Sequence, residues 1–425
     1  MIVGTSCHSM KQSLFLTEAI LAVRRTTILQ IIPELETGGA ELSTIEIAGA
    51  IAQAGGRALV LSEGGRLAPK ISAAGGEFVP FPAATKNPAR ILWNAGEIAR
   101  LIERENVDLV HARSRAPAWS TLIAARRKKI PLVTTYHGAY GEKNRIKSAY
   151  NSVMARGDLV IANSNYTAAL IQSRYGTPDE RLRVIYRGVD GGYYDPARIA
   201  DSQTEALRTS WNVGAHQKIM LQAARLTAWK GHHTVIAAAE ILKNKGLLGD
   251  AVFVLAGDAQ GRDSYCRQLE AGIEVAGLKD HFRLPGHVEH MPVAFRAAHV
   301  AIIASVEPEA FGRTAAEAQA MGCPVIATNI GAPPETVRAA PFVDESARTG
   351  WLVPPSDAAA LASALAEALS LEPDARARIG RTARNHVLQA FTLEAMRRQT
   401  LAVYDNLLNS GLEQHYNRGK RETSP

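Results

Sequence analysis

The chain has 425 residues, 46% of them hydrophobic and 21% charged, too long for one ordinary core and too apolar for a disordered protein, so two α/β domains are expected. Its three cysteines, Cys7, Cys266 and Cys323, are far apart and form no Cys-x-x-Cys spacing, which excludes a disulfide framework and a zinc knuckle and fits a reducing cytoplasm. The net charge of +7 is uneven: residues 1–200 hold 25 Lys and Arg against 17 Asp and Glu, and residues 111–187 hold 14 against 4.

Residues 1–26 read as a poorly ordered leader. Their apolar stretch, residues 14–23, is interrupted by Thr17 and Glu18 and falls short of the ~20 apolar residues of a spanning helix. No small-residue cleavage site follows it. Short β-branched or apolar runs then predict strands at 27–32, 57–61, 78–80, 109–111, 132–136, 159–162 and 183–185, with amphipathic helices between most of them, such as 40–54 and 91–105. This alternation predicts a parallel sheet covered on both faces, ending near residue 195. Residues 196–216 read as a linker with a short helix. Further strands follow at 219–223, 252–256, 282–284, 300–304 and 325–327, with helices such as 234–243 and 313–321. They predict a second doubly wound domain. Residues 357–410 look helical throughout, and the basic tail, 417–425, is expected to be mobile.

Open parallel sheets bind ligands beyond the carboxyl ends of their strands, and the candidate residues fall there. Gly38-Gly39-Ala40-Glu41 follows the first strand and opens a helix. Paired glycines allow close backbone approach, and the helix start offers free N–H groups to a phosphate or polar acceptor. An ordinary strand-to-helix turn would read the same. His137-Gly138 closes the strand 132–136, where an imidazole meets a sugar hydroxyl or shuttles a proton, unless it is simply a satisfied core histidine. Arg225 and Lys230, five residues apart after the strand 219–223, suit the two sides of a diphosphate. After the strand 300–304, Glu309 sits in a loop and Glu317 one turn or so inside the helix that follows. The N–H groups around Phe311, Gly312, Arg313 and Thr314 would point at phosphate, and Glu317 would accept from a ribose diol.

Glu309 to Glu317 resembles the Glu-x7-Glu motif of the retaining glycosyltransferase family 4, whose GT-B fold sets two Rossmann-like domains across a cleft. Arg225 with Lys230, Gly38 to Glu41, His137-Gly138, Asn163-Ser164 and Arg187-Gly188-Val189-Asp190 are similar to family stretches in the same order, over roughly residues 27–410. The resemblance implies an acceptor-side domain over 27–195 and a donor domain over 196–392. A helix near 393–408 would cross back to the first domain, within a final segment 393–425. It implies that Arg225 and Lys230 hold the donor diphosphate, Glu317 the ribose, and His287 and Val288 the base. Glu309, with the backbone from Phe311 to Thr314, would contact the donor sugar, which His137 would reach from the first domain. One departure is Arg187, where many members read Pro-Asn-Gly-Val-Asp. No Asp-x-Asp occurs, so no metal or other cofactor is expected. Same-face attack, with the leaving phosphate taking the acceptor's proton, is the implied route to retention. Two rival readings stay open: a nucleotide-sugar epimerase of the same fold, and a non-catalytic nucleotide-sugar-binding partner.

The basic first domain reads either as a solvated face or as a surface for anionic lipid or a phosphorylated acceptor. With His111-Ala112-Arg113-Ser114-Arg115, it resembles a group of bacterial envelope glycosyltransferases. The expected partners are a nucleotide-sugar donor, a sugar or lipid-linked acceptor such as a lipopolysaccharide intermediate, and an anionic inner-membrane surface. Nucleic acid is not expected, since no zinc finger, RNP motif or compact basic recognition helix is present.

Overall fold

The computed structural model describes residues 24–36, 38–140 and 144–423. The leader expected over 1–26, apart from its last three residues, lies outside the described residues, as does Cys7. The strands are β1 (Thr27–Ile31), β2 (Arg57–Ser62), β3 (Glu77–Pro80), β4 (Leu109–Ala112), β5 (Leu132–Tyr136), β6 (Leu159–Ala162) and β7 (Leu182–Val184). They continue with β8 (Lys218–Ala223), β9 (Ala251–Ala256), β10 (Phe282–Gly286), β11 (Val300–Ile303), β12 (Val325–Thr328) and β13 (Gly350–Val353). The first seven form one sheet in the order β3-β2-β1-β4-β5-β6-β7, and the rest form a second in the order β10-β9-β8-β11-β12-β13. The pairings are parallel. Strand order reverses between β1 and β4 in the first sheet and between β8 and β11 in the second, which is where a crevice opens at the carboxyl edge.

Both sheets are covered on both faces, which is why their strands read as unbroken apolar runs. All five residues of β1 are buried. Successive side chains alternate: Leu29 joins one core and Ile28 the other. The helices that cover the sheets around the site are α1 (Gly39–Gln53), α2 (Pro69–Ala73), α3 (Pro88–Arg104), α4 (Arg115–Lys128), α5 (Arg145–Asn151) and α6 (Asn165–Tyr175). In the second half come α7 (Asp201–Ser210), α8 (His232–Asn244), α9 (Asp263–Val275), α10 (Met291–Ala297), α11 (Arg313–Ala320), α12 (Pro333–Thr336) and α13 (Ala358–Ser370). Several start where a polar side chain satisfies a free N–H: the Asn87 Oδ1 accepts from the Ala89 and Arg90 amides at α3, and the Ser164 hydroxyl accepts from the Thr167 amide at α6.

Three sequence expectations need correction. Strand β13 was not expected, because four residues headed by a glycine are too short a run to signal a strand. Gly350 is needed there, since a Cβ would lie 2.0 Å from the Val325 carbonyl oxygen. The stretch 357–410 is not one helix: α13, α14 (Pro373–Ala390) and α15 (Leu393–Leu408) are separate, broken at residues 371–372 and 391–392. The tail expected to be mobile is largely helical. Helix α16 (Leu412–Thr423) packs on α1 and α15, with Leu412 and Tyr416 buried. Those two apolar anchors precede the basic stretch that suggested mobility.

Helix α15 crosses back and completes one core of the first domain, where Leu393, Met396, Leu401 and Tyr404 pack with Ile47 and Ile51 of α1. Two segments pass between the domains side by side. Val189 bridges to Thr392, its amide donating to the Phe391 carbonyl at 2.8 Å and its carbonyl accepting from the Leu393 amide at 3.0 Å. A Cβ at Gly188 would sit 2.4 Å from the Leu393 Cα, so the crossing tolerates no side chain there. No helix among the described residues is long and apolar enough to cross a membrane.

Candidate active site

The carboxyl edges of the two sheets face each other across a cavity of about 560 Å³. Gly39, Ala40, His137, Arg225, Glu309, Phe311, Gly312 and Arg313 line it. Lys230 and Glu317 stand behind the wall, each in contact with a residue that lines it. Thr314 is half-buried outside the lining, and His287 is exposed beyond edge strand β10, with Val288 packed toward the second core. Glu41 folds back over Gly38 rather than into the cavity: a Cβ at Gly38 would meet its Oε2 at 2.4 Å.

The second-domain wall is built at the β8/β11 switch point. Gly231, at φ 71°, lets the Arg225–Lys230 loop lie on the end of β11; a Cβ there would be 1.9 Å from the Ala304 carbonyl oxygen. The Val306 amide donates to the Trp229 carbonyl at 2.8 Å and ties the two loops together. Lys230 then reaches Glu309, Nζ to Oε1 at 2.6 Å, with the side chains 15% and 11% exposed. Ser305 donates to the same carboxylate oxygen. Gly331 holds the Glu309 backbone in a bridge, and the Ala332 amide donates to the Glu309 carbonyl at 2.9 Å. Glu309 is thus fixed from three sides. Arg225, by contrast, is exposed and has no ion-pair partner among the described residues.

Gly312 caps α11 in the left-handed region at φ 80°. The amides of Phe311 to Thr314 find no backbone acceptor among the described residues, so the helix presents free donors to the cavity. Inside α11, the Arg313 Nε donates to the Glu317 Oε1 at 2.6 Å, and Nη2 reaches the Glu46 Oε1 of α1 at 3.2 Å. Burial pushes the Glu317 carboxyl up, against the pull of Arg313.

On the opposite wall, His137 follows β5. Its Nδ1 accepts from the Arg187 guanidinium, which leaves the ring proton on Nε2. That nitrogen is shielded from solvent and has no partner among the described residues. Burial, then the charge of Arg187, holds the imidazole well below its usual pKa, so it is neutral at pH 7. A neutral ring with a free Nε2–H is chemically able to donate to a hydroxyl.

Arg115, Tyr140, Asn163, Arg187, Trp229 and Glu307 also line the cavity. Arg187 and Asn163 carried a signal, as part of stretches already noted; Arg115 lay in the basic stretch 111–115 without being singled out. Tyr140 carried none. His111, read with that stretch, is instead a core residue of β4: Nδ1 meets the Tyr404 hydroxyl and Nε2 the Thr135 hydroxyl, both at 2.7 Å. Among the described residues no three His, Cys, Asp or Glu side chains gather as a metal site.

With this geometry in view, comparison with known proteins is decisive. The family model Glycosyltransferase Family 4 matches residues 37–191, and the model Glycosyl transferases group 1 matches residues 203–386. A glycosyltransferase structure from Rickettsia africae is 34% identical with a TM-score of 0.82, covering 91% of this chain and 99% of that one. This chain belongs to glycosyltransferase family 4. The glycosyltransferase is also similar to Anabaena HepE in complex with UDP-glucose, at 25% identity and a TM-score of 0.78, covering 90% of this chain and 100% of that one. A curated relative, the D-inositol 3-phosphate glycosyltransferase of Xylanimonas cellulosilytica, is 29% identical over 59% of this chain. The match spans 64% of that relative's length. The fold of this glycosyltransferase is GT-B, with the carboxyl-terminal helix crossing back to the first domain.

Proposed function

We propose that this glycosyltransferase moves a sugar, with retention and without a metal, from a nucleoside diphosphate donor to a lipid-linked or lipopolysaccharide-type acceptor at the cytoplasmic face of a membrane. The observation that carries the donor half is the wall at the β8/β11 switch point, where Arg225, the Lys230–Glu309 pair and the free amides of Phe311 to Thr314 converge on one cavity. Arg225 and Lys230 would take the diphosphate and stabilise its charge as it leaves, the part a metal ion plays elsewhere. Glu317 would accept from the ribose, and the base would extend toward His287 and Val288. Glu309 and His137 would hold the sugar from opposite walls. The C1–O bond to the diphosphate breaks as the bond from the acceptor oxygen forms on the same face, and the acceptor's proton passes to the leaving phosphate oxygen. Gly38 to Glu41 would border the acceptor. The complex of the Anabaena relative with UDP-glucose supports a nucleotide-sugar donor.

The acceptor half rests on the first domain. Residues 111–187 hold 14 basic and 4 acidic residues. Leu92, Trp93 and Ile146 are exposed apolar side chains on α3 and α5, with Arg90 stacked on Trp93 at 4.3 Å. Such a mixture suits an anionic lipid surface.

The test is thermal unfolding with UDP, GDP and ADP, each with and without EDTA, followed by proton NMR of the product anomer. A ligand at a hundredfold excess over its Kd raises stability by about 2.7 kcal/mol. A shift with one nucleotide, unchanged by EDTA, and a product with the donor's anomeric configuration are expected. An inverted product, or turnover abolished by EDTA, would overturn the mechanism. Liposome flotation indifferent to lipid charge and salt would overturn the membrane assignment.

A further inference from the structure

The cleft carries more positive charge than a donor diphosphate needs. Arg225 and Lys230 serve the second-domain wall. Facing them, beyond the carboxyl ends of the first sheet's strands, are three more guanidinium groups: Arg113 and Arg115 follow β4, and Arg187 follows β7. Arg115 opens α4 and lines the cavity; it donates to the Asn151 Oδ1 at 2.8 Å and lies 3.8 Å from the centre of the Tyr140 ring. Arg187 also lines the cavity and is 6% exposed. Arg113, 3% exposed, lies behind it, against Asn163 and Thr135; it donates to the Ser43 hydroxyl at 2.6 Å, and its Nε has no partner. Among the described residues none of the three forms an ion pair. Glu46 is held by Arg313, and Glu41 lies over Gly38. Three buried or half-buried cations with no carboxylate paired to them are costly unless an anion joins them.

We infer that Arg115 and Arg187, backed by Arg113 and flanked by Tyr140 and His137, form a second anion subsite that binds a phosphoryl group carried by the acceptor. This rests on the glycosyltransferase reading of the cleft, and it names the acceptor's chemistry. Arg187 and Arg115 line one cavity together with Tyr140 and His137: Arg115 lies over the Tyr140 ring, and Arg187 donates to the His137 Nδ1. Burial, then the charges of Arg113 and Arg313, draws Arg187 down to about 9 against the pull of Glu46 and Glu41, and burial draws Arg113 down to about 10 against that of Tyr404 and Glu46. Both remain cationic at pH 7, and a dianion would relieve the repulsion between them. A phosphoryl group offers three oxygens to two planar forks and a phenol, which suits arginine better than lysine. The subsite stands on the opposite wall from Arg225. An acceptor phosphate bound there would leave the second-domain wall free for the donor.

The test uses the full chain and inorganic phosphate as the probe, with binding followed by calorimetry in the absence and in the presence of a saturating nucleoside diphosphate. Phosphate should bind to the nucleotide-saturated protein. Arg187→Asn and Arg115→Gln should each weaken phosphate binding by about tenfold or more while leaving nucleotide affinity within about twofold, as expected for lost charge-assisted contacts. Arg225→Ala should do the reverse. Should Arg187→Asn fail to fold, the half-exposed Arg115 decides alone. Phosphate that is excluded by nucleotide, or that binds equally well to both variants, would overturn the subsite. So would no phosphate binding by the wild type. If phosphate binds and no nucleotide does, the subsite stands and the glycosyltransferase donor site falls. Replacing the probe by a hexose 6-phosphate or by a short-chain phosphatidic acid tells whether the phosphoryl group arrives on a sugar or on a lipid. Preference for either supports the subsite.

Discussion

Replacing Lys230 with alanine tests the second-domain wall most directly. The Glu309 carboxylate is 11% exposed and 2.6 Å from Nζ; without Lys230 it keeps only the Ser305 hydroxyl. Removing one partner of a buried pair costs about 3–5 kcal/mol, because the survivor is left charged in poor solvent. The remaining hydroxyl and the edge of the cavity place Lys230→Ala at the low end, about 3 kcal/mol. For a domain of this size that lowers the melting temperature by about 6–12 °C. Adding Glu309→Gln removes the stranded charge, and the double variant should recover about 2 kcal/mol, the coupling expected of groups in contact. Neither variant should regain transfer activity, since each lacks a residue assigned to the donor. The assay is thermal and urea unfolding of the four proteins of the cycle, beside donor turnover. Additive stability losses, with coupling below about 0.5 kcal/mol, would refute the pair as the element that fixes Glu309.

Gly231→Ala would place a Cβ 1.9 Å from the Ala304 oxygen; it should displace Arg225 and Lys230 and abolish the nucleotide-dependent thermal shift. Glu335 of α12 accepts from the Asn165 and Tyr166 amides at 2.9 and 2.7 Å and from the Tyr186 hydroxyl at 2.9 Å, across the domain boundary. Glu335→Ala should weaken closure by about 2 kcal/mol, roughly thirtyfold in the equilibrium, and raise the radius of gyration in small-angle scattering; an unchanged radius with unchanged turnover would count against it. His111 and His232 are fully buried; burial holds the first well below its usual pKa and the second at about 4. Their unfolded forms take up a proton near pH 6.5 and their folded forms do not. Stability is therefore full above pH 6.5 and falls as the pH drops below it, by up to about 1.4 kcal/mol per pH unit for each histidine. Urea unfolding that is flat between pH 7 and 5 would contradict that assignment.

What was legible in the sequence follows from what one strand end can announce. The places of Arg225 and Glu309 at the cavity were legible because a parallel sheet exposes the loops after its strands, and that of Glu317 inside α11 because the helix starts where Gly312 stops the loop. Those signals are local. Glu46 and Glu335 were missed because their partners, Arg313 and the start of α6, lie in the other domain, and no sequence spacing encodes that contact. Arg115 was visible only as one charge in a basic stretch; its meaning came from its place at the β1/β4 switch point. Strand β13 and helix α16 escaped for a different reason. Strand β13 is only four residues headed by a glycine, and the apolar face of α16 rests on Leu412 and Tyr416, too few in either to make a period. His111 of that basic stretch takes a place in the core, where Tyr404, 293 positions away, supplies its partner, again a contact that no sequence spacing encodes.

Arg313 ties these two kinds of information together. Its Nε serves Glu317, one turn along the same helix, and its Nη2 serves Glu46 on α1. If the domains part, the first contact moves with α11 and survives, whereas the second is broken. Opening therefore strands Glu46, whose Oε2 already has no partner in the closed form. Arg187 and Arg113 both lie within electrostatic range of Glu46, and neither has an ion-pair partner among the described residues. In an open molecule Glu46 would turn toward Arg187; in the closed one Arg313 holds Glu46 back. Closure then does two things at once. It joins the wall that carries the donor residues to the first domain, and it leaves Arg187 without an ion-pair partner at the wall of the cavity, where an anionic ligand would neutralise it.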